Sequence, residues 1–91
     1  MASFVMLMRD DNASGDWDGY IEKLVSTGKF RGGSSLGRGA SVRKDHSDTL
    51  TEVTGMIRLE VANLEEAKAL LDGNPAFEAG FPVELLEEIE E

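Results

Sequence analysis

The segment Asp10-Asp11-Asn12-Ala13-Ser14-Gly15-Asp16-Trp17-Asp18 gathers the side chains best suited to hold a cation. Asp10, Asn12, Ser14 and Gly15 take the first, third, fifth and sixth places of an EF-hand calcium loop, with an apolar residue at the eighth and Asp18 at the ninth. The twelfth place needs a bidentate glutamate and holds Ile21, with Glu22 one step late. The segment also follows an apolar, strand-like run where an EF-hand has a helix. Short polar residues and a glycine ahead of a helix serve equally as a turn and an N-cap. The sequence therefore predicts no dedicated metal site, and names Asp10, Asn12, Ser14 and Asp16 as the ligands if calcium binds at all.

Two other segments carry chemical potential. Gly32-Gly33-Ser34-Ser35-Leu36-Gly37-Arg38-Gly39 has the outer glycine spacing of a phosphate-binding P-loop. Arg38 and Gly39 stand where that motif has lysine and the magnesium-binding hydroxyl, and a helix precedes the segment where a strand should, so a glycine-rich hairpin is the better reading. His46, the single histidine, lies in Asp45-His46-Ser47-Asp48. An imidazole between carboxylates makes His46 the candidate general base. A histidine in a polar loop without a second one is ordinarily a solvated side chain. No motif calls for a cofactor.

The elements that position these residues follow from periodicity. Ser3 to Met8 is apolar on both faces, Phe4, Met6 and Met8 on one and Val5 and Leu7 on the other, as in a central strand. Asp16 caps a helix with Trp17, Tyr20, Ile21, Leu24 and Val25 along one stripe, and Gly28 stops it. Phe30 to Leu36 and Ala40 to Arg43 read as short strands joined in a hairpin by Gly37-Arg38-Gly39. Lys44 to Val53 has no clear period. Gly55 to Val61 alternates as a strand; Asn63 and Glu66 have capping-box spacing for a second helix, which Gly73-Asn74-Pro75 ends. A last strand at Pro82 to Leu85 completes an order β-α-β-β-α-β within one domain, residues 1–91.

Composition narrows the function classes. Ninety-one residues form one small core, near the size at which self-association becomes a natural source of stability. Eighteen acidic residues against nine basic give a net charge of -9, which repels phosphate backbones and anionic membranes. There is no cysteine, and the apolar run Phe4 to Met8 is too short for a signal core or a membrane span. The expectation is a soluble, cytoplasmic protein with neither nucleic acid nor membrane as partner.

The stretch Thr54 to Glu91, with Asn63-Leu64-Glu65-Glu66-Ala67, Gly73-Asn74-Pro75-Ala76-Phe77 and Pro82-Val83-Glu84-Leu85, resembles the C-terminal half of the YCII-related (DGPF-domain) family. Gly28 to Arg43 is similar to that family's glycine, strand, Gly-Gly, strand pattern. The resemblance implies a ferredoxin-like α+β domain that pairs into a homodimeric α+β barrel; most members have no established activity. The Asp-Gly-Pro-Phe signature is replaced by Asp48-Thr49-Leu50-Thr51-Glu52-Val53, and the first helix has no histidine for the dyad proposed in some members. No catalytic residue carries over.

In such a barrel Ile57, Leu59 and Val61 pack under the helices, while Met56, Arg58 and Glu60 point toward a partner sheet, together with Phe4, Met6 and Met8. Unpaired buried charge is costly, so Arg58 and Glu60 need partners or a ligand there, and the planar guanidinium of Arg58 suits a small anionic molecule. The leading expectation is an uncharacterised homodimeric domain that binds a small ligand or serves as an accessory module, with Arg58, Glu60 and Met56 at the site. The alternatives are an enzyme of lyase, isomerase or monooxygenase-like type in the intersheet cleft and a calcium-responsive interaction protein.

Overall fold

A computed structural model of the chain describes residues 1–9, 15–37 and 39–89. The elements are β1 (Ala2–Arg9), α1 (Trp17–Ser26), β2 (Phe30–Ser35), β3 (Ala40–Ser41), β4 (Thr49–Leu50), β5 (Val53–Val61), α2 (Leu64–Ala69), α3 (Pro75–Glu78) and β6 (Val83–Glu87). The chain is an α+β domain whose four-stranded sheet has the order β2-β5-β1-β6, with every neighbouring pair antiparallel. The α1 connection carries the chain from β1 past β5 to β2. The connection through α2 and α3 carries it from β5 past β1 to β6.

Local chemistry sets the helix ends. Asp16 Oδ1 accepts from Gly19 N at 2.8 Å to start α1. Gly28, at φ +75°, takes the left-handed conformation just after the helix, and its N–H reaches the Val25 carbonyl at 3.0 Å. Asn63 Oδ1 accepts from Glu66 N at 3.0 Å, as the capping-box spacing predicts. Glu66 Oε1, however, accepts from Ala62 N at 3.0 Å, one residue before the N-cap. That bond, assisted by Lys29, lowers the Glu66 pKa. Asn74 caps α3 from the next turn, with Pro75 at its first position.

The core lies between the sheet and the helices. Phe4, Met6 and Met8 of β1 and Ile57, Leu59 and Val61 of β5 meet Tyr20, Leu24, Ala67, Leu71 and Ala76. Each large apolar side chain fully buried here contributes about 1.5–3 kcal/mol. This corrects the expected facing of β1. Phe4 pairs with Leu59 and Met6 with Ile57, and directly paired residues project to the same side of a sheet. Phe4, Met6 and Met8 therefore belong to the helix side, and the open face carries Val5 and Leu7 opposite Arg58 and Met56.

The expected hairpin between residues 30–36 and 40–43 is also absent. β2 pairs with β5, and β3 pairs with β4 in a separate ribbon, Ala40 opposite Leu50 and Ser41 opposite Thr49. β2 reaches β5 through a bulge between Phe30 and Gly33. A Cβ at Gly33 would lie 2.5 Å from the Met56 carbonyl oxygen, so this close approach requires glycine. The stretch 44–53, left without a period by the sequence, supplies β4 and the start of β5.

A small polar cluster closes the core beneath α2 and α3. Asn74, fully buried, accepts from Phe77 N at 3.0 Å and donates from Nδ2 to Met6 Sδ at 3.4 Å. The Tyr20 hydroxyl lies 3.6 Å from the same sulfur and donates to the Leu70 carbonyl at 2.7 Å. Asn74→Ala removes a cap and a buried donor together, and is expected to cost about 2 kcal/mol in urea unfolding at unchanged m-value. Burial raises the pKa of Tyr20, with the Asn74 side chain acting in the opposite direction. Its contribution is therefore intact below its ordinary value of about 10 and is lost as pH rises through the higher folded value. The stability advantage of wild type over Tyr20→Phe, about 1 kcal/mol at neutral pH, should shrink above about pH 10. Tyr20 is the only tyrosine, so tyrosinate absorbance follows the same transition.

Candidate functional site

The start of α1 overhangs the β2–β5 side of the sheet and leaves a cleft of about 360 Å³. Trp17 and Ile21, one helical turn apart and both partly buried, form the roof. Met8, Ile57 and Phe30 supply the apolar wall. Gly33 and Gly55 border the cleft. The Asp16 cap fixes the pitch of this helix end. Trp17 is held further by an edge-to-face contact with Tyr20, centroids 6.2 Å apart at 79°.

The polar groups of the cleft are few. Ser35 offers a hydroxyl on the helix side, whereas Ser34, paired with Met56, projects to the open face, and Thr54 Oγ1 already donates to the Met8 carbonyl at 3.4 Å. Asp18 contributes the one titratable side chain among the described lining residues, and it is exposed at the mouth. An apolar slot with a hydroxyl at one side and a carboxylate at its mouth has the make-up of a small-molecule pocket.

Of the three residues assigned to a ligand from sequence, only Met56 borders this cleft. Arg58 stands on the open face of the sheet, its side chain 56% exposed, with Nε 3.2 Å from Glu88 Oε1. Glu60 pairs with Arg31 at 3.1 Å. Arg9 and Glu84 face each other as a third ion pair on the same face. The charges expected to await a partner or ligand are thus matched within the chain. His46 sits in an exposed turn between β3 and β4, Nδ1 2.9 Å from the Lys44 carbonyl oxygen, and does not line the cleft.

The calcium-loop residues divide. Asp10, Asn12 and Ser14 lie outside the described residues, as does Arg38 of the glycine-rich segment. Asp16 spends one carboxylate oxygen on the helix cap. Among the described residues, no group of three His, Cys, Asp or Glu side chains is placed to hold a metal ion. No described helix is long and apolar enough to cross a membrane.

Trp17 and Ile21 were legible as an apolar stripe, but their role as a roof was not. Phe30 and Gly55 carried no signal as site residues, and Asp18 and Ser35 appeared only within the calcium-loop and P-loop near-matches, because the cleft arises where α1 overhangs two distant strands. The paired glycines at 32–33 were the available clue, and they read more simply as a turn. No protein-family model and no curated protein matches this chain.

Ile21, at the place of the last calcium ligand, packs against the core and roofs the cleft. Calorimetric titration with calcium should accordingly find no site tighter than about 10 μM, the sensor range. A tighter dissociation constant would restore the calcium-responsive reading.

Proposed function

We propose that the chain is a small homodimeric domain of the YCII-like type that holds a small ligand in the cleft beneath Trp17, acting as an accessory or binding module. The observation that carries the reading is the cleft itself: about 360 Å³, apolar in its wall, with only a few polar groups. Asp18 is the one titratable lining residue among those described, and it is exposed to solvent, which favours binding over turnover.

The strand order and the two interlocking crossovers support the ferredoxin-like reading of the α+β fold. The open sheet face supports pairing into a barrel. Val5, Leu7 and Met56 lie side by side there, partly covered by their neighbours and by no helix. Around them the ion pairs Arg58–Glu88, Arg31–Glu60 and Arg9–Glu84 form a polar frame, an arrangement like the apolar centre and charged rim of a subunit interface. A second copy presents the same surface about a two-fold axis. Net charge of -9 and the absence of cysteine favour a cytoplasmic setting without nucleic acid or membrane as partner.

Light scattering at micromolar protein should give twice the 9.9 kDa chain mass. Leu7→Lys places an ammonium beside Glu84 in the monomer but inside the interface of the dimer. It should weaken association by about tenfold or more while leaving the circular dichroism unchanged. A wild-type mass of one chain would overturn the dimer.

A further inference from the structure

The geometry points to the chemical class of that ligand: a small planar apolar molecule bearing a positive charge, seated under Trp17 with its cation toward Asp18. This rests on the reading of the cleft as a ligand site and reverses the charge that Arg58 alone would select. No described residue lining the cleft is basic. Asp18 has no ion-pair partner among the described residues, whereas the open-face carboxylates Glu60, Glu84 and Glu88 are each matched to an arginine. The Trp17 indole lies beside Asp18 in sequence and lines the same cleft. An aromatic face next to a carboxylate attracts a cation twice, through the ring quadrupole and through the charge.

The apolar part of the ligand is set by the wall. Met8, Ile57 and Phe30 offer dispersion contacts and little hydrogen bonding, and the rings of Trp17 and Phe30 suit a flat partner. A carboxylate in this position would meet Asp18 and an overall charge of -9 with no described lining cation to offset them. The site therefore discriminates by repulsion as well as by attraction.

Three probes of one shape separate ring from charge: phenethylammonium, phenethyl alcohol and phenylacetate. Trp17 is the only tryptophan, so its emission, excited at the red edge of the indole band where phenyl rings do not absorb, reports the cleft directly. Ligands of this size should bind in the millimolar range. At about 0.15 M salt, where long-range charge is screened beyond ~8 Å, phenethylammonium should bind about fivefold or more tighter than phenylacetate, the scale of an exposed charge pair. In Asp18→Asn that ratio should fall to within about twofold, while the alcohol is unaffected. Ser35→Phe, at an exposed strand position that borders the cleft, should fill the slot and abolish binding of all three without changing the mass in light scattering. Phenylacetate binding as tightly as the cation would overturn the ligand class and leave the cleft reading standing. Silence of Trp17 with all three, or full binding to Ser35→Phe, would overturn both.

Discussion

Met6 Sδ receives the Asn74 amide at 3.4 Å and lies 3.6 Å from the Tyr20 hydroxyl, so one buried sulfur joins the central strand to both helical connections. The contacts are soft, and sulfur is a weak acceptor, but polar groups buried beside it would otherwise lack part of their hydrogen bonding. Their placement depends on the register that sets Met6 opposite Ile57 on one side and Leu85 on the other. A slip of one residue would turn Met6 to the open face and bring Val5 or Leu7 under the helices. Tyr20 and Asn74 would then face branched hydrocarbon. The pair therefore selects one of two apolar faces that hydrophobicity alone leaves nearly equivalent.

That near-equivalence explains what the sequence revealed and what it concealed. Helix starts at Asp16 and Asn63 were readable because a cap is written in residues three apart, whereas Asn74 read as the end of one helix and is also the cap of the next. The inward set of Ile57, Leu59 and Val61 was readable because polar residues alternate with it. The inward set of β1 was not, since Phe4, Met6 and Met8 alternate with Val5 and Leu7. The choice between them is made by Tyr20 and Asn74, 14 and 68 residues from Met6. β2 misled for a related reason: glycines near 32–33 and 37–39 both permit turns, and only the pairing with β5 decides which of them is a bulge.

The candidate site shows the same division between local and distant information. Arg58 stood out as a cation on an alternating strand, and it does lie on the open face, yet Glu88 from beyond β6 occupies it. His46 stood out by being alone, and the turn between β3 and β4 holds it away from the cleft. The cleft owes its existence to an overhang. α1 crosses the sheet so that Tyr20 and Leu24 are buried, while Trp17 and Ile21, in the neighbouring i,i+4 row of the same helix, are only partly covered. Apolar residues of one stripe thus divide between core and cavity according to the side of the stripe they occupy.

The place of β1 at the sheet centre also bears on the order in which the chain acquires structure. Its two neighbours, β5 and β6, follow it by half and by nearly all of the sequence, so it has no strand partner until the chain is past its middle and no second one until near its end. Closing such long loops before any ladder bond rewards them slows folding relative to chains built from local hairpins. In the interval Phe4 to Met8 is a five-residue apolar strand with unpaired edges on both sides, the kind of segment most exposed to misassembly. Arg9 follows it at once, with acidic residues behind. Charge at the end of an adhesive strand acts as a gatekeeper during synthesis, a duty separate from anything those residues do once the sheet has closed.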